Sequence, residues 1–478
     1  LPDTKSAAPS NTSESSALAF TPIHELAERL RNGTLSASAL IECYLERIHR
    51  NDKKLHAFIE VYADEARAAA HVADAAFKAR QYRGPLQGIP IALKDLLEIE
   101  GRRTTAGSMF WHDRVSRVTS TAVEKLTAAG MIPLGKTHLV EFAFGSWGTN
   151  RTMGTPWNPW DLDVQRAPAG SSSGSGVAVG AALAPAAIGS DTGGSVRAPA
   201  SLCGIVGLKT TIGRVSNYGV LMLSDTLDTL GPMTRDVEDA ALLFMAMHGP
   251  DYRDAQTYAH PPSDVLSGLK SGIAGLRLAV LADEELGEID SEVTHEFTAA
   301  LDVLRGLGAR IDTLKLPVSF DSMAVIVGKI IAAEGYALHR EWIDRTDLPF
   351  DADVADRIRW AKNMSAADYV KIMGERKNLR QAIDVLLRDF DGLLLPTSPL
   401  PAPPLTAIDQ GKAPMSRLTR PINLLDLCAV AIPCGYSAGG LPISMQIAAR
   451  GYQEARVLRI AWAYENATEW HTRRPAGL

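Results

Sequence analysis

The chain has 478 residues, 46% of them hydrophobic and 22% charged, a composition that excludes disordered and fibrous architectures and leaves length for a large buried core. Its 49 Lys and Arg against 55 Asp and Glu leave a formal charge of −6, so no surface for nucleic acid or anionic lipid is expected. Four cysteines (Cys43, Cys203, Cys428 and Cys434) form no C-x-x-C pair and no ligand-spaced cluster, which predicts core thiols and neither a disulfide framework nor a metal site.

Residues 1–16, rich in Ser, Thr and Pro and without an apolar signal core, are expected to belong to a flexible tail over 1–20. A cytoplasmic location is the expectation, an exported form the alternative. Apolar residues then recur at helical spacing, first at Ile23, Leu26, Ala27 and Leu30 and again at Leu40, Ile41, Tyr44 and Ile48, predicting helices over 21–31 and 35–49. A third, Ala-rich helix is predicted over 64–80. Past the turn at Gly84-Pro85, the run Gly88-Ile89-Pro90-Ile91-Ala92-Leu93-Lys94-Asp95 reads as a short strand with Lys94 at its end.

The pattern continues as helix 121–129, strand 131–134, helix 177–183, an apolar segment at 186–188 and helix 234–247. A polar stretch over 249–272 shows no periodicity and is expected to be a linker. Beyond it the reading is strand 276–281, helix 292–307, strand 309–316, then helices over 322–339 and 366–387. Strands at 391–396 and 443–447 and a helix over 452–467 close the chain, with a proline-rich turn at 399–404. Helices alternating with short buried strands predict an α/β layered sandwich, taken as one domain over 21–478 with an elaborated middle at about 250–390. No apolar run reaches the roughly 18 residues a membrane helix needs.

Three short motifs compete for the chemistry and each lacks its context. Gly130-Met131-Ile132-Pro133-Leu134-Gly135-Lys136-Thr137 spells a phosphate-binding loop, which would make the chain an NTPase using Lys136. Yet Pro133 removes a backbone donor, and a helix precedes the motif where a strand should. Asp191-Thr192-Gly193 resembles the aspartic-protease triplet, but no second copy supplies the partner acid. Gly170-Ser171-Ser172-Ser173-Gly174 has the spelling of a nucleophile elbow around Ser172, preceded by a polar, Pro-broken segment instead of a buried strand.

A fourth reading joins Lys94 at its strand end, the loop Ala169-Gly170-Ser171-Ser172-Ser173-Gly174-Ser175-Gly176, and the loop Gly189-Ser190-Asp191-Thr192-Gly193-Gly194-Ser195-Val196-Arg197. Together they supply what acyl transfer requires: a hydroxyl nucleophile, a base that need not be histidine, and glycines whose N–H groups can face an oxyanion. In this order the three segments resemble the amidase signature family. The match runs on through Arg197-Ala198-Pro199-Ala200-Ser201-Leu202-Cys203-Gly204-Ile205-Val206-Gly207-Leu208-Lys209 and Leu230-Gly231-Pro232-Met233 to Ile432-Pro433-Cys434-Gly435 and Gly440-Leu441-Pro442-Ile443. It spans about residues 20 to 470 and is weakest between about 250 and 390. One departure is Ala169-Gly170-Ser171-Ser172-Ser173-Gly174, where the family commonly shows Gly-Gly-Ser-Ser-Gly-Gly; Ser171 is kept.

The resemblance implies a layered α/β/α sandwich around a large mixed β-sheet and a hydrolase of carboxamides, with carbamates, ureides or esters as related substrates. It makes Ser195 the nucleophile, Lys94 the base and Ser171, at a cis peptide, the relay between them. The backbone N–H groups of Thr192, Gly193, Gly194 and Ser195 would form the oxyanion hole. Ser172, Asp191 and Arg197 are expected as supports, and Phe142, Phe144, Trp147 and Leu223 as pocket lining. Asp228 is expected to be structural. The resemblance implies no cofactor, a small-molecule amide as partner, and a monomer or homodimer; one component of an amidotransferase, acting only with its partners, is the alternative.

Overall fold

The computed structural model describes residues 17–258, 263–412 and 414–478. The expected polar leader at 1–16 lies outside them. Among the described residues eleven strands are present: β1 (Phe58–Val61), β2 (Pro90–Lys94), β3 (Ile132–Thr137), β4 (Ala186–Asp191), β5 (Val206–Lys209), β6 (Thr229–Thr234), β7 (Arg277–Leu281), β8 (Arg310–Leu314), β9 (Gly392–Pro396), β10 (Cys428–Tyr436) and β11 (Pro442–Ala449). They form a single sheet in the order β1-β3-β2-β4-β6-β5-β10-β11-β9-β7-β8. The sheet is mixed: β2 runs parallel to β3 and β4, β7 runs parallel to β8 and β9, and the other pairs are antiparallel.

Neighbouring residues of one strand feed different apolar cores. Leu393 and Leu395 of β9 join one cluster and Leu394 the other; Ala429 and Ala431 of β10 join the first, Val430 and Ile432 the second. Because successive side chains of a strand point to opposite faces, the two clusters are the two faces of the sheet. The first is covered by the helices Ile23–Arg31, Ala37–Leu55 and Phe320–His339, the second by Val237–Met247, Ser291–Gly306 and Glu454–Glu465. This is the layered α/β/α sandwich.

Burial on both faces explains which strands the sequence concealed. Every residue of β5, β6 and β10 is buried, so none shows the alternation of a half-exposed strand, and glycines and prolines within them read as breaks. β1, with only four residues, is too short to leave a periodic signal. The predicted helix at 177–183 begins earlier, at Ser173, and the predicted strand at 131–134 extends to Thr137. Among the described residues four α-helices are not anticipated by the sequence, Arg197–Cys203, Asp283–Leu286, Ala352–Arg359 and Arg420–Leu424. Within 249–272 the described residues contain only a short 3-10 turn, Ala255–Thr257; residues 259–262 lie outside the description.

The register sets up the site. Ala92 pairs with Ala187 and Leu93 with Ile188, so the parallel strands β2 and β4 end side by side, at Lys94 and Asp191. Loops leaving the carboxyl ends of adjacent parallel strands therefore converge at one place, where α/β sheets usually carry their sites.

Candidate active site

Lys94, the last residue of β2, is completely buried. Its Nζ donates to Ser171 Oγ at 2.8 Å and to Ser190 Oγ at 2.8 Å. Burial pulls its pKa from 10.5 down to about 7; the carboxylates of Asp228 and Asp191 oppose the shift without reversing it. The result is an amine that titrates near neutrality and is already hydrogen-bonded to a hydroxyl.

Ser171 begins the turn into the helix Ser173–Gly180, and the Gly170–Ser171 peptide is cis. Its carbonyl accepts from Val140 N–H at 3.1 Å, while Gly170 N–H donates to Ser146 O at 2.9 Å, tying both sides of this bond to the segment before it. Ser172 supports the loop from behind: its Oγ donates to Ser190 O and accepts from Ser190 N–H, each at 3.3 Å, and its N–H donates to Ser195 O at 3.3 Å. That engagement and its complete burial leave the nucleophile-elbow reading of Ser172 without an accessible hydroxyl.

The loop bearing Ser195 is organised by one carboxylate. Asp191 accepts from the N–H groups of Gly194 (2.7 Å), Val196 (3.2 Å) and Arg197 (3.4 Å), and from the Arg197 guanidinium at 3.0 Å through both Nε and Nη2. Burial alone would raise its pKa, but the Arg197 charge and hydrogen bonds, Lys209 and Asn423 outweigh it and hold the carboxyl well below the usual range. Arg197 reaches on to Gln446 Oε1 at 2.8 Å and Asn423 Oδ1 at 2.7 Å, so the loop is anchored to β11 and the helix Arg420–Leu424. An aspartate so occupied has no role left in proton transfer, which removes the aspartic-protease reading.

Ser195 is 8% exposed, and among the described residues its hydroxyl has no hydrogen-bond partner. It opens on a cavity of about 180 Å³ lined also by Thr192, Gly193, Phe144, Trp147 and Leu223. Two expectations need correcting. Phe142 is not in this lining: it is buried in the core, stacked on the His339 ring at 4.2 Å and edge-on to Trp111 at 5.1 Å. The N–H of Gly194 is not free to face an oxyanion, because Asp191 Oδ1 holds it. The N–H groups of Thr192, Gly193 and Ser195 have no such partner among the described residues.

Gly194 has a structural reason to be glycine. Its φ is +122°, and a Cβ there would stand 2.1 Å from Thr419 Oγ1. Thr419 Oγ1 itself donates to Gly193 O at 2.8 Å, fixing the turn from outside.

The phosphate-loop spelling has a different fate. Gly135, Lys136 and Thr137 lie within β3, and Lys136 Nζ donates to Asp95 Oδ1 at 2.7 Å and Thr104 Oγ1 at 3.1 Å, with both charged side chains buried. Its cation is consumed inside the fold.

The sequence reading leaves several groups at the site without a part in the chemistry, Asp228 among them as a structural residue. Ser190 is the second partner of Lys94. Asp228 accepts from Thr192 Oγ1 at 2.5 Å and from the N–H groups of Leu223 and Ser224, and burial raises its pKa to about 6. Arg357 and Arg420 also line the cavity. Ser190 stands in the loop over 189–197 that the sequence singles out, without a role of its own there, whereas no local motif marks Arg357 or Arg420, which reach the site from elsewhere in the chain. Among the described residues, no helix is long and apolar enough to cross a membrane.

Comparison with known proteins gives this geometry a setting. A family model described as Amidase matches residues 39–458. A glutamyl-tRNA(Gln) amidotransferase subunit of Geobacter metallireducens is 36% identical, over 95% of this chain and 99% of that protein. A solved chain from a vestigial protein complex, described as revealing the origins of an s-triazine catabolic enzyme, superposes with a TM-score of 0.88 at 31% identity, covering 93% of this chain and 98% of that one. The peptide amidase of Stenotrophomonas maltophilia superposes with a TM-score of 0.84 at 28% identity, covering 95% and 98%.

Proposed function

The chain belongs to the amidase signature family, and is an amide hydrolase by that membership; from this premise we propose that it cleaves the C–N bond of a small carboxamide through an acyl-enzyme on Ser195, with Lys94 as base and Ser171 as relay. One observation carries the reading: a buried lysine titrating near 7 is hydrogen-bonded to Ser171 beside the loop that bears Ser195.

The roles follow from chemistry. A serine hydroxyl is a weak nucleophile at neutral pH and needs a proton acceptor; a lysine serves only when its amine is uncharged. As Ser195 Oγ bonds to the amide carbon, its proton passes to Ser171 Oγ, and the Ser171 proton passes to Lys94 Nζ. The carbonyl oxygen becomes an oxyanion facing the N–H groups of Thr192, Gly193 and Ser195, each of which contributes on the order of 100- to 1,000-fold in rate in sites of this kind. The tetrahedral intermediate collapses, the C–N bond breaks, and Lys94 returns its proton through Ser171 to the leaving nitrogen. Water then attacks the acyl-enzyme, giving its proton to the same relay; the bond between the acyl carbon and Ser195 Oγ breaks, the relay returns the proton to Ser195 Oγ, and the acid leaves. Carbamates, ureides and esters pass through the same type of intermediate and fall within the proposal.

A second reading is favoured by the near full-length likeness to glutamyl-tRNA(Gln) amidotransferase subunits: the same site acting only within a complex, in place of a monomer or homodimer. Purified chain tested alone on aryl amides, primary amides and carbamates separates the two. Turnover by the isolated chain, lost in Ser195→Ala, is the expected result; no turnover of any small amide by the well-folded chain sinks the stand-alone reading.

A further inference from the structure

Among the described residues, the cavity at Ser195 is lined by three cationic side chains, Arg357, Lys412 and Arg420, and by no carboxylate. The three are not equivalent. Arg357 donates to Phe144 O and to Gln410 Oε1, so its guanidinium is engaged within the protein, and Asp353 and Asp351 partly oppose the effect of its burial. Lys412 is 79% exposed and lies 3.9 Å from Asp409. Arg420 has, among the described residues, neither a hydrogen bond nor an ion pair.

Its position makes that conspicuous. Arg420 Cγ lies 3.1 Å, and its Nε 3.8 Å, from where a Cβ on Gly193 would stand, so the side chain flanks the loop that holds the nucleophile. It also borders a second, outer cavity of about 500 Å³, together with Phe144, Arg357 and Gln410. The guanidinium thus stands where the two cavities meet. Burial depresses its pKa to about 10, and the like charge of Arg357 acts in the same direction. The two aspartates of the outer cavity do not compensate it: Asp353 pairs with Arg151 at 2.7 Å and Asp356 with Arg359 at 3.3 Å.

An arginine cannot escape this situation by losing its proton at neutral pH, and a half-buried guanidinium beside another cation is stabilised when an anion answers it. No described side chain does so. A planar carboxylate matches the guanidinium fork with two parallel hydrogen bonds. We propose that the amide substrate carries a carboxylate a few bonds from its scissile carbonyl, and that Arg420 is the specificity-determining residue that binds it. The inference rests on the hydrolase reading above and deepens it: the neutral end of the substrate meets Ser195, and the acidic end is held at the junction of the cavities.

The test compares acidic amides with uncharged counterparts of similar size. Succinamate against butanamide places the charge on the acyl part, and N-acetylglycine against N-propylacetamide places it on the amine part. One acidic member is expected to exceed its neutral counterpart in kcat/KM by about 100-fold, and Arg420→Gln to reduce that ratio to under about tenfold, with partial recovery in Arg420→Lys. Calorimetric titration of succinate into Ser195→Ala protein supplies a readout that needs no turnover: binding is expected, and its loss in Ser195→Ala/Arg420→Gln. If neutral amides are cleaved as well as acidic ones and Ser195→Ala still abolishes turnover, the hydrolase stands and this inference falls. If no amide is cleaved in a Ser195-dependent way, the hydrolase reading falls, and the titration alone decides whether Arg420 is an anion site. Succinate binding unchanged by Arg420→Gln, or absent from the protein that retains Arg420, overturns it.

Discussion

Lys94 Nζ lies 2.8 Å from Ser171 Oγ, although the two residues are 77 positions apart in the chain, and both are closed off from solvent. Its consequence is a base whose charge depends on pH in the neutral range. Activity should therefore rise from acid toward a plateau, with a midpoint near 7, as Lys94 loses its proton. Stability moves the same way between about 7 and 10.5: there the unfolded chain holds a proton that the folded chain has given up, so unfolding becomes harder as pH rises. A kcat/KM profile flat from about pH 5 to 9 would remove Lys94 from the mechanism, and Lys94→Met should abolish turnover and flatten this part of the stability profile.

Asp228 offers a test of the same electrostatics from the other side. Its carboxylate is charged above about pH 6 and raises the Lys94 pKa, opposing burial. Asp228→Asn keeps an acceptor for Thr192 Oγ1 while deleting the charge. The midpoint of the pH–rate profile should shift toward acid in this variant, and a shift toward base would contradict the arrangement.

Lys136 and Asp95 form a buried pair, and breaking one half leaves the other as an uncompensated charge. Lys136→Met is expected to cost about 3–5 kcal/mol, with much of the loss recovered in Lys136→Met/Asp95→Leu. Urea unfolding of the single and double variants measures this. Nucleotide should leave the midpoint of the unaltered protein where it is; an ATP-dependent increase would revive the phosphate-loop reading.

Gly194→Ala tests the packing of the nucleophile loop. The added methyl meets Thr419 Oγ1 and Cβ inside contact distance at a backbone angle that alanine adopts poorly, a strain of about 1–3 kcal/mol. Thr419 is then pushed from Gly193 O, and kcat should fall at least about tenfold while the far-ultraviolet circular dichroism is retained. Wild-type kcat in this variant would show that the turn has slack the geometry does not suggest.

How much of this is readable in one dimension can be judged residue by residue. The helices Ile23–Arg31 and Ala37–Leu55 announce themselves because each has one wet face, leaving a periodic trace of leucine and isoleucine. β10 leaves no such trace, because it is buried on both sides, and Pro433 and Gly435 within it interrupt the β-forming composition a strand would show. Phe142 misleads for a related reason: an aromatic near the site in sequence is turned into the core by its backbone, where it stacks on His339.

Residue order by itself determined the family resemblance, the alternation of helices and strands, and the types of group available for chemistry, because motifs and amphipathic periods are local properties of a chain. Only the tertiary structure decided which of the cations in and around the site are spent and which are not. Lys136 is neutralised by Asp95, Lys94 is partnered by two hydroxyls, and Arg420 stands beside Gly193 unanswered by any described side chain. Charge, burial and partnership are relations between segments distant in the chain, and those relations come into being only when the sheet brings the segments together.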